Sequence, residues 1–91
     1  MKNLKAHVVI DIDGKKDKGG NFVITGDIAI IEYPTKEMAE REALDLWQHL
    51  TIKEKKERRI IAGLVNKTVD DDGDISYWND DYLNEYISYG E

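Results

Sequence analysis

No cysteine occurs anywhere in the 91 residues, which excludes disulfides, thiolate zinc sites and cysteine nucleophiles, and with them the usual signature of an oxidising compartment. Histidine is nearly as scarce: there are only His7 and His49, and neither has a serine or threonine beside it in sequence. No window of the chain approaches the length of a membrane span. The N-terminal stretch MKNLKAHVVIDIDG carries a lysine at its second position, but Asp11 and Asp13 cut its apolar run before a signal-peptide core could form. A soluble, cytoplasmic protein with a single small domain over residues 1–91 is therefore expected, with one modest core and little margin of stability.

The final quarter lacks positive charge altogether. Residues 68–91 hold no Lys or Arg and 8 Asp/Glu, whereas residues 1–67 hold 13 Lys/Arg against 11 Asp/Glu, so the net charge of -6 arises wholly at the C-terminal end. Five of the eight aromatics lie in the same segment: Tyr77, Trp78, Tyr82, Tyr86 and Tyr89. Disordered acidic tails are poor in aromatics, so this segment is expected to be covered by its own core or by a partner.

The pattern along the chain predicts an α+β domain: a three- or four-stranded, mainly antiparallel sheet with one main helix on one face, a short second helix and a C-terminal aromatic helix. LKAHVVIDID alternates as a strand, with Leu4, Ala6, Val8, Ile10 and Ile12 as its expected core side. GKKDKGG reads as a hairpin loop and NFVITGDIAIIEY as the returning strand, with a bulge or bend at Gly26–Asp27. Pro34 ends that strand and Thr35 can cap a helix over 36–50, whose apolar stripe is Ala39, Ala43, Leu46, Trp47 and Leu50. Thr51 and Glu54 form a T-x-x-E capping box, which predicts a kink at Leu50–Thr51 and a short helix over IKEKKE. RRIIAGLVNK reads as a third strand and DGDISYW as a short fourth. In NDDYLNEYISYG, Asn79 can cap a helix with Trp78, Tyr82, Tyr86 and Tyr89 on one side and Gly90 at its end.

The run W47-Q-H49-L50-T51-I-K-E54-K55-K56-E-R58-R59-I60, preceded by spaced alanines and followed by the D-x-D-G-D turn at Asp70–Asp74, resembles small uncharacterised Firmicutes proteins of phage or mobile-element content with an A-x3-W-x-H-L-T-x2-E-K-K motif. The likeness covers roughly residues 37–75. It implies a similar domain layout and a mobile-element setting. The family has no assigned activity, so it implies no catalytic residues.

The aspartate run resembles part of a calcium loop, with Asp70, Asp72, Gly73, Asp74 and Ser76 at positions 3, 5, 6, 7 and 9. Thr68 stands at position 1 where Asp is needed, and Asn79 at position 12 cannot supply the bidentate carboxylate. A solvated hairpin turn is expected instead, and no metal or other cofactor. Asp11, Asp13, Asp27 and Glu32 could meet at a sheet edge, but no spacing makes them catalytic, and no enzyme activity is expected. The leading functional expectation is a non-enzymatic protein-interaction module, an accessory or inhibitory factor that binds a basic protein partner through Trp78, Asp80, Asp81, Tyr82, Tyr86 and Tyr89. The alternative is a nucleic-acid-binding module using Lys15, Lys16 and Lys18 of the first loop with Lys55, Lys56 and Arg59 of the basic run, in which Glu54 and Glu57 are interleaved.

Overall fold

The computed structural model describes residues 2–78 and 84–90, and for Lys2, Asn3 and Asn84 the backbone alone. In chain order the elements are β1 (Lys2–Lys16), β2 (Phe22–Tyr33), α1 (Lys36–His49), α2 (Ile52–Lys56), β3 (Arg58–Val69), β4 (Ile75–Trp78) and β5 (Asn84–Tyr89). All strand pairs are antiparallel, and β3 is the organising strand. Along one side it pairs with β1, from Lys2 opposite Val69 to Asp13 opposite Arg58. Its other side is shared, β4 taking Asn66–Val69 and β5 taking Ile60–Leu64. β2 lies outside β1, and the register between them shifts where Thr25, Gly26 and Asp27 bulge opposite Asp13. There the Asp27 amide donates to the Asp13 carboxylate at 3.3 Å.

The helices form for the reasons legible in the chain. The Thr35 hydroxyl accepts from the Met38 amide at α1's start, and the Thr51–Glu54 capping box is complete, with its two bonds at 3.0 and 3.1 Å. Ala39 and Ala43 are fully buried and let α1 lie close on the sheet. Leu46, Trp47 and Leu50 pack around them.

Two expectations are corrected. The C-terminal aromatic segment is a strand, not a helix, over its described part: β5 supplies the backbone partners that β3 would otherwise lack between Ile60 and Leu64. The helix-like spacing of Tyr86 and Tyr89 misled because β5 carries a bulge between its pairs with Ala62 and Gly63. The extra residue is Tyr86, which is thereby turned to the same side as Ile87 and Tyr89. The sheet is accordingly five-stranded, not three- or four-stranded.

The second correction concerns the faces. α1 covers the side of β1 that carries Val9, opposite the one expected as core, and there Val9, Ile60 and Ala62 pack with Ala39 and Ala43. The Ala6–Val8–Ile10 side is also buried, with Ile61 and Val65, though among the described residues no helix lies on it. Sheet curl explains this. β2 and β4 stand at opposite ends of the order β2-β1-β3-β4, about 14 Å apart in a flat sheet. Even so, the Tyr77 hydroxyl of β4 donates to Glu32 of β2 at 3.1 Å, and Lys67 Nζ reaches the same carboxylate at 2.8 Å. Glu32, Lys67 and Tyr77 close a polar bridge over the concave apolar face.

Candidate functional site

Opposite charges are gathered at separate places. The acidic place is the β3–β4 hairpin. Asp70 organises it from within: its carboxylate accepts the amides of Asp72 and Asp74 at 2.9 Å each, its carbonyl accepts the Gly73 amide, and Gly73 adopts a positive φ. The β1–β2 hairpin repeats the arrangement. The Asp17 carboxylate accepts from Gly19 and Asn21 at 2.8 and 2.9 Å, and Gly20 has the positive φ. Both are three-residue hairpin loops closed by a left-handed glycine. A carboxylate committed to its own turn amides is a hairpin device, as the flanking strands also require.

At the far end of β4 from the acidic turn, Trp78 is 44% exposed, and its indole N–H donates to the Thr68 hydroxyl at 2.9 Å. Ile75, also exposed, precedes it. Tyr86 and Tyr89 have a different environment. Tyr86 shares a hydrogen bond with His7 Nδ1 at 2.8 Å and lies under Lys36, while Tyr89 stacks on Trp47. Burial, with Glu40 and Glu37 nearby, raises the Tyr86 pKa. Of the six residues expected to touch a partner, Trp78 is the one displayed, Tyr86 and Tyr89 are turned into the protein's own packing, and Asp80, Asp81 and Tyr82 lie outside the described residues.

The basic place is a cleft of about 690 Å³ at the opposite end of β3. Lys15 and Lys16 reach it from the end of β1, Lys55 and Lys56 from α2, and Phe22, Trp47 and Ile52 supply its apolar wall. The Gly14 amide donates to the Glu57 carbonyl at 2.8 Å, tying the two basic segments together. Gly14 has no room for a side chain, because a Cβ would stand 2.5 Å from the Phe22 ring. Lys55 sits 5.5 Å above the Trp47 ring. Thus four of the six residues of the nucleic-acid alternative converge. Lys18 does not line the cleft, and Arg59 faces the concave side, 3.5 Å from Glu85 and 3.4 Å from Ser88.

The carboxylates of Asp11, Asp13 and Glu32 on β1 and β2 are engaged by cations and a tyrosine. Asp11 and Asp13 hold Arg58 at 3.0 and 3.7 Å, and Glu32 is occupied by Lys67 and Tyr77. The Lys67 hydrogen bond, with that of Tyr77, lowers the Glu32 pKa despite partial burial. His49 Nδ1 donates to the Asp45 carbonyl at 2.7 Å, which holds the imidazole against the last turn of α1. Among the described residues no group of three or more His, Asp or Glu is placed to hold a metal, and no helix is long and apolar enough to cross a membrane. Set against protein-family models, curated proteins and solved structures, the chain gives no match.

The cleft was missed as a unit because its halves lie about forty residues apart in sequence; the nearest signal was the repetition of Lys-Lys beside a Gly-rich turn and beside a capping box.

Proposed function

We propose that this protein is a non-enzymatic interaction module that binds a protein partner of basic surface through the Trp78 end of its sheet. The observation that carries the reading is the exposed Trp78 indole, held in one orientation by Thr68 on the same hairpin whose turn carries the aspartates. A preorganised aromatic ringed by charge is the composition of an interface hot spot, and a local excess of negative charge speeds encounter with a basic patch. The acidic-aromatic surface first expected over the whole C-terminal segment is reduced accordingly, since Tyr86 and Tyr89 serve the core. A role as an accessory or inhibitory factor of a phage or mobile element is proposed from the resemblance around Trp47–Ile60.

Affinity capture from the native host tests this, comparing the wild-type chain with Trp78→Ala and with Asp72→Asn/Asp74→Asn. The expected result is one basic partner, lost with Trp78→Ala and weakened by the double Asn variant and by salt. A partner retained by all three would end the reading.

A second reading, nucleic-acid binding, is favoured by the convergence of Lys15, Lys16, Lys55 and Lys56. A polynucleotide track needs cations along its length. Here the adjoining cleft of about 420 Å³ sets Asp13, Glu54 and Glu57 against Lys15 and Arg58, so the excess of positive charge is confined to the first cleft.

A further inference from the structure

We propose that the lysine cleft is a binding site for a small organic polyanion with a flat apolar body, of the nucleoside polyphosphate class. The site is separate from the Trp78 surface, so neither proposal rests on the other.

Charge is the first ground. In a chain of net charge -6, four lysines and a single glutamate line this one cleft. Several other cations are already spoken for: Arg58 by Asp11 and Asp13, Arg59 by Glu85, Lys67 by Glu32 and Lys36 by Glu40. Among the described residues, none of Lys15, Lys16, Lys55 and Lys56 has a carboxylate partner within 4 Å. Four ammonium groups gathered around one opening with the single carboxylate of Glu57 leave an excess of positive charge, and a multiply charged anion relieves their mutual repulsion.

The wall supplies the second ground. Simple phosphate needs no apolar surface, yet the lysines surround Phe22, Trp47 and Ile52, and Ile52 is 78% exposed, the most exposed large apolar residue described. An isoleucine at the first position of a five-residue helix contributes nothing to the protein's own core there. One face of Trp47 is taken by Tyr89 and Lys55 lies over the ring, so Phe22 and Ile52 are left to receive a planar group while the lysine heads meet the phosphates.

Size and surroundings set the class. A volume of about 690 Å³ lies within the range of sites for single small ligands. In the adjoining cleft Asp13, Glu54 and Glu57 outnumber Lys15 and Arg58, which disfavours an extended polyanion, whereas a compact one meets four lysines and Glu57 alone.

Titration of the full-length chain with ATP, inorganic triphosphate and a twelve-nucleotide oligothymidylate tests the proposal, followed by the amide and indole NMR signals. ATP is expected to bind saturably at one site and to shift Trp47, Ile52 and Lys15–Lys16 signals. Triphosphate is expected to bind at least fivefold more weakly. Lys16→Glu/Lys55→Glu should weaken ATP by tenfold or more. Ile52→Ser should weaken ATP but leave triphosphate unchanged, a pattern that general unfolding does not produce, and Trp78→Ala should leave both unchanged. Equal affinity for ATP and triphosphate would reduce the cleft to an ionic patch. Tighter binding of the oligonucleotide would make it a polymer site, and no saturable shift by millimolar ATP would remove it altogether. Any of these three results overturns the proposal.

Discussion

Trp47 of α1 and Tyr89 of β5 stack with ring centroids 5.7 Å apart and planes 16° from parallel. The pair joins the main helix to the last strand, and it matters because the fully buried core is built of small residues, its largest members being Ile60, Val8 and Val9. Much of the apolar bulk sits at the rim, in Tyr33, Leu46, Trp47, Tyr86 and Tyr89. Trp47→Ala should therefore cost about 3–5 kcal/mol, enough to unfold most of so small a domain. Urea denaturation followed by circular dichroism measures it. A near-native unfolding midpoint for the variant would refute the anchoring role.

The Glu32 bridge gives a pH dependence of definite sign. Hydrogen bonding to Lys67, and then to Tyr77, lowers the Glu32 pKa in the folded state. A lowered carboxylate pKa contributes stability above its unfolded value, about 4.3, and that contribution is lost as pH falls through the folded value. The same contacts, chiefly the Glu32 hydrogen bond for Lys67 and burial for Tyr77, raise both partners, whose contributions are present below their unfolded values and lost at high pH. Glu32→Gln should leave unfolding near pH 7 little changed, because the pair is partly screened by solvent, and should flatten the loss of stability between about pH 5 and pH 3. An unaltered acid limb in that variant would show the bridge to be silent.

What could be read in advance follows the range of the forces involved. α1, the Thr51–Glu54 capping box and the two hairpins rest on neighbours within four residues, so spacing alone revealed them. The side of β1 that receives α1 was not readable, because Val8 and Val9 are equally buried and the curl that covers Val8 depends on Glu32, Lys67 and Tyr77, distant in sequence. β5 failed for a related reason: a bulge gives strand residues Tyr86 and Tyr89 the one-sided pattern of a helix. Likewise the two lysine segments, each modest by itself, form a cleft only through the β1–α2 contact at Gly14 and Glu57.

The twin turns yield a matched pair of measurements. Asp17→Ala and Asp70→Ala each remove an acceptor from two backbone amides, and each should destabilise its hairpin by about 1 kcal/mol. With the Asp70 carboxylate so engaged, millimolar calcium should leave amide shifts outside residues 68–79 unmoved. Binding below 100 micromolar with a global shift change would restore the calcium-loop reading.

Truncation after Gly73 separates the structural from the recognition role of the C-terminal end. The cut removes β4 and β5, and with them the whole backbone pairing of β3 on that side. It also removes Tyr77 from the concave bridge, Tyr86 from His7 and Tyr89 from Trp47. Unpaired amides from Ile60 to Leu64 and an uncovered Trp47 face are more than a core of alanines, valines and isoleucines offsets, so the shortened chain should be unfolded by circular dichroism and amide dispersion. Trp78→Ala provides the contrast. Its side chain is half in solvent and its one described hydrogen bond, to the Thr68 hydroxyl, is itself exposed, so that variant should melt within a few degrees of wild type while losing the captured partner. A truncated chain that stayed folded would mean that β5 is dispensable to the core, leaving Tyr86 and Tyr89 available to a partner after all.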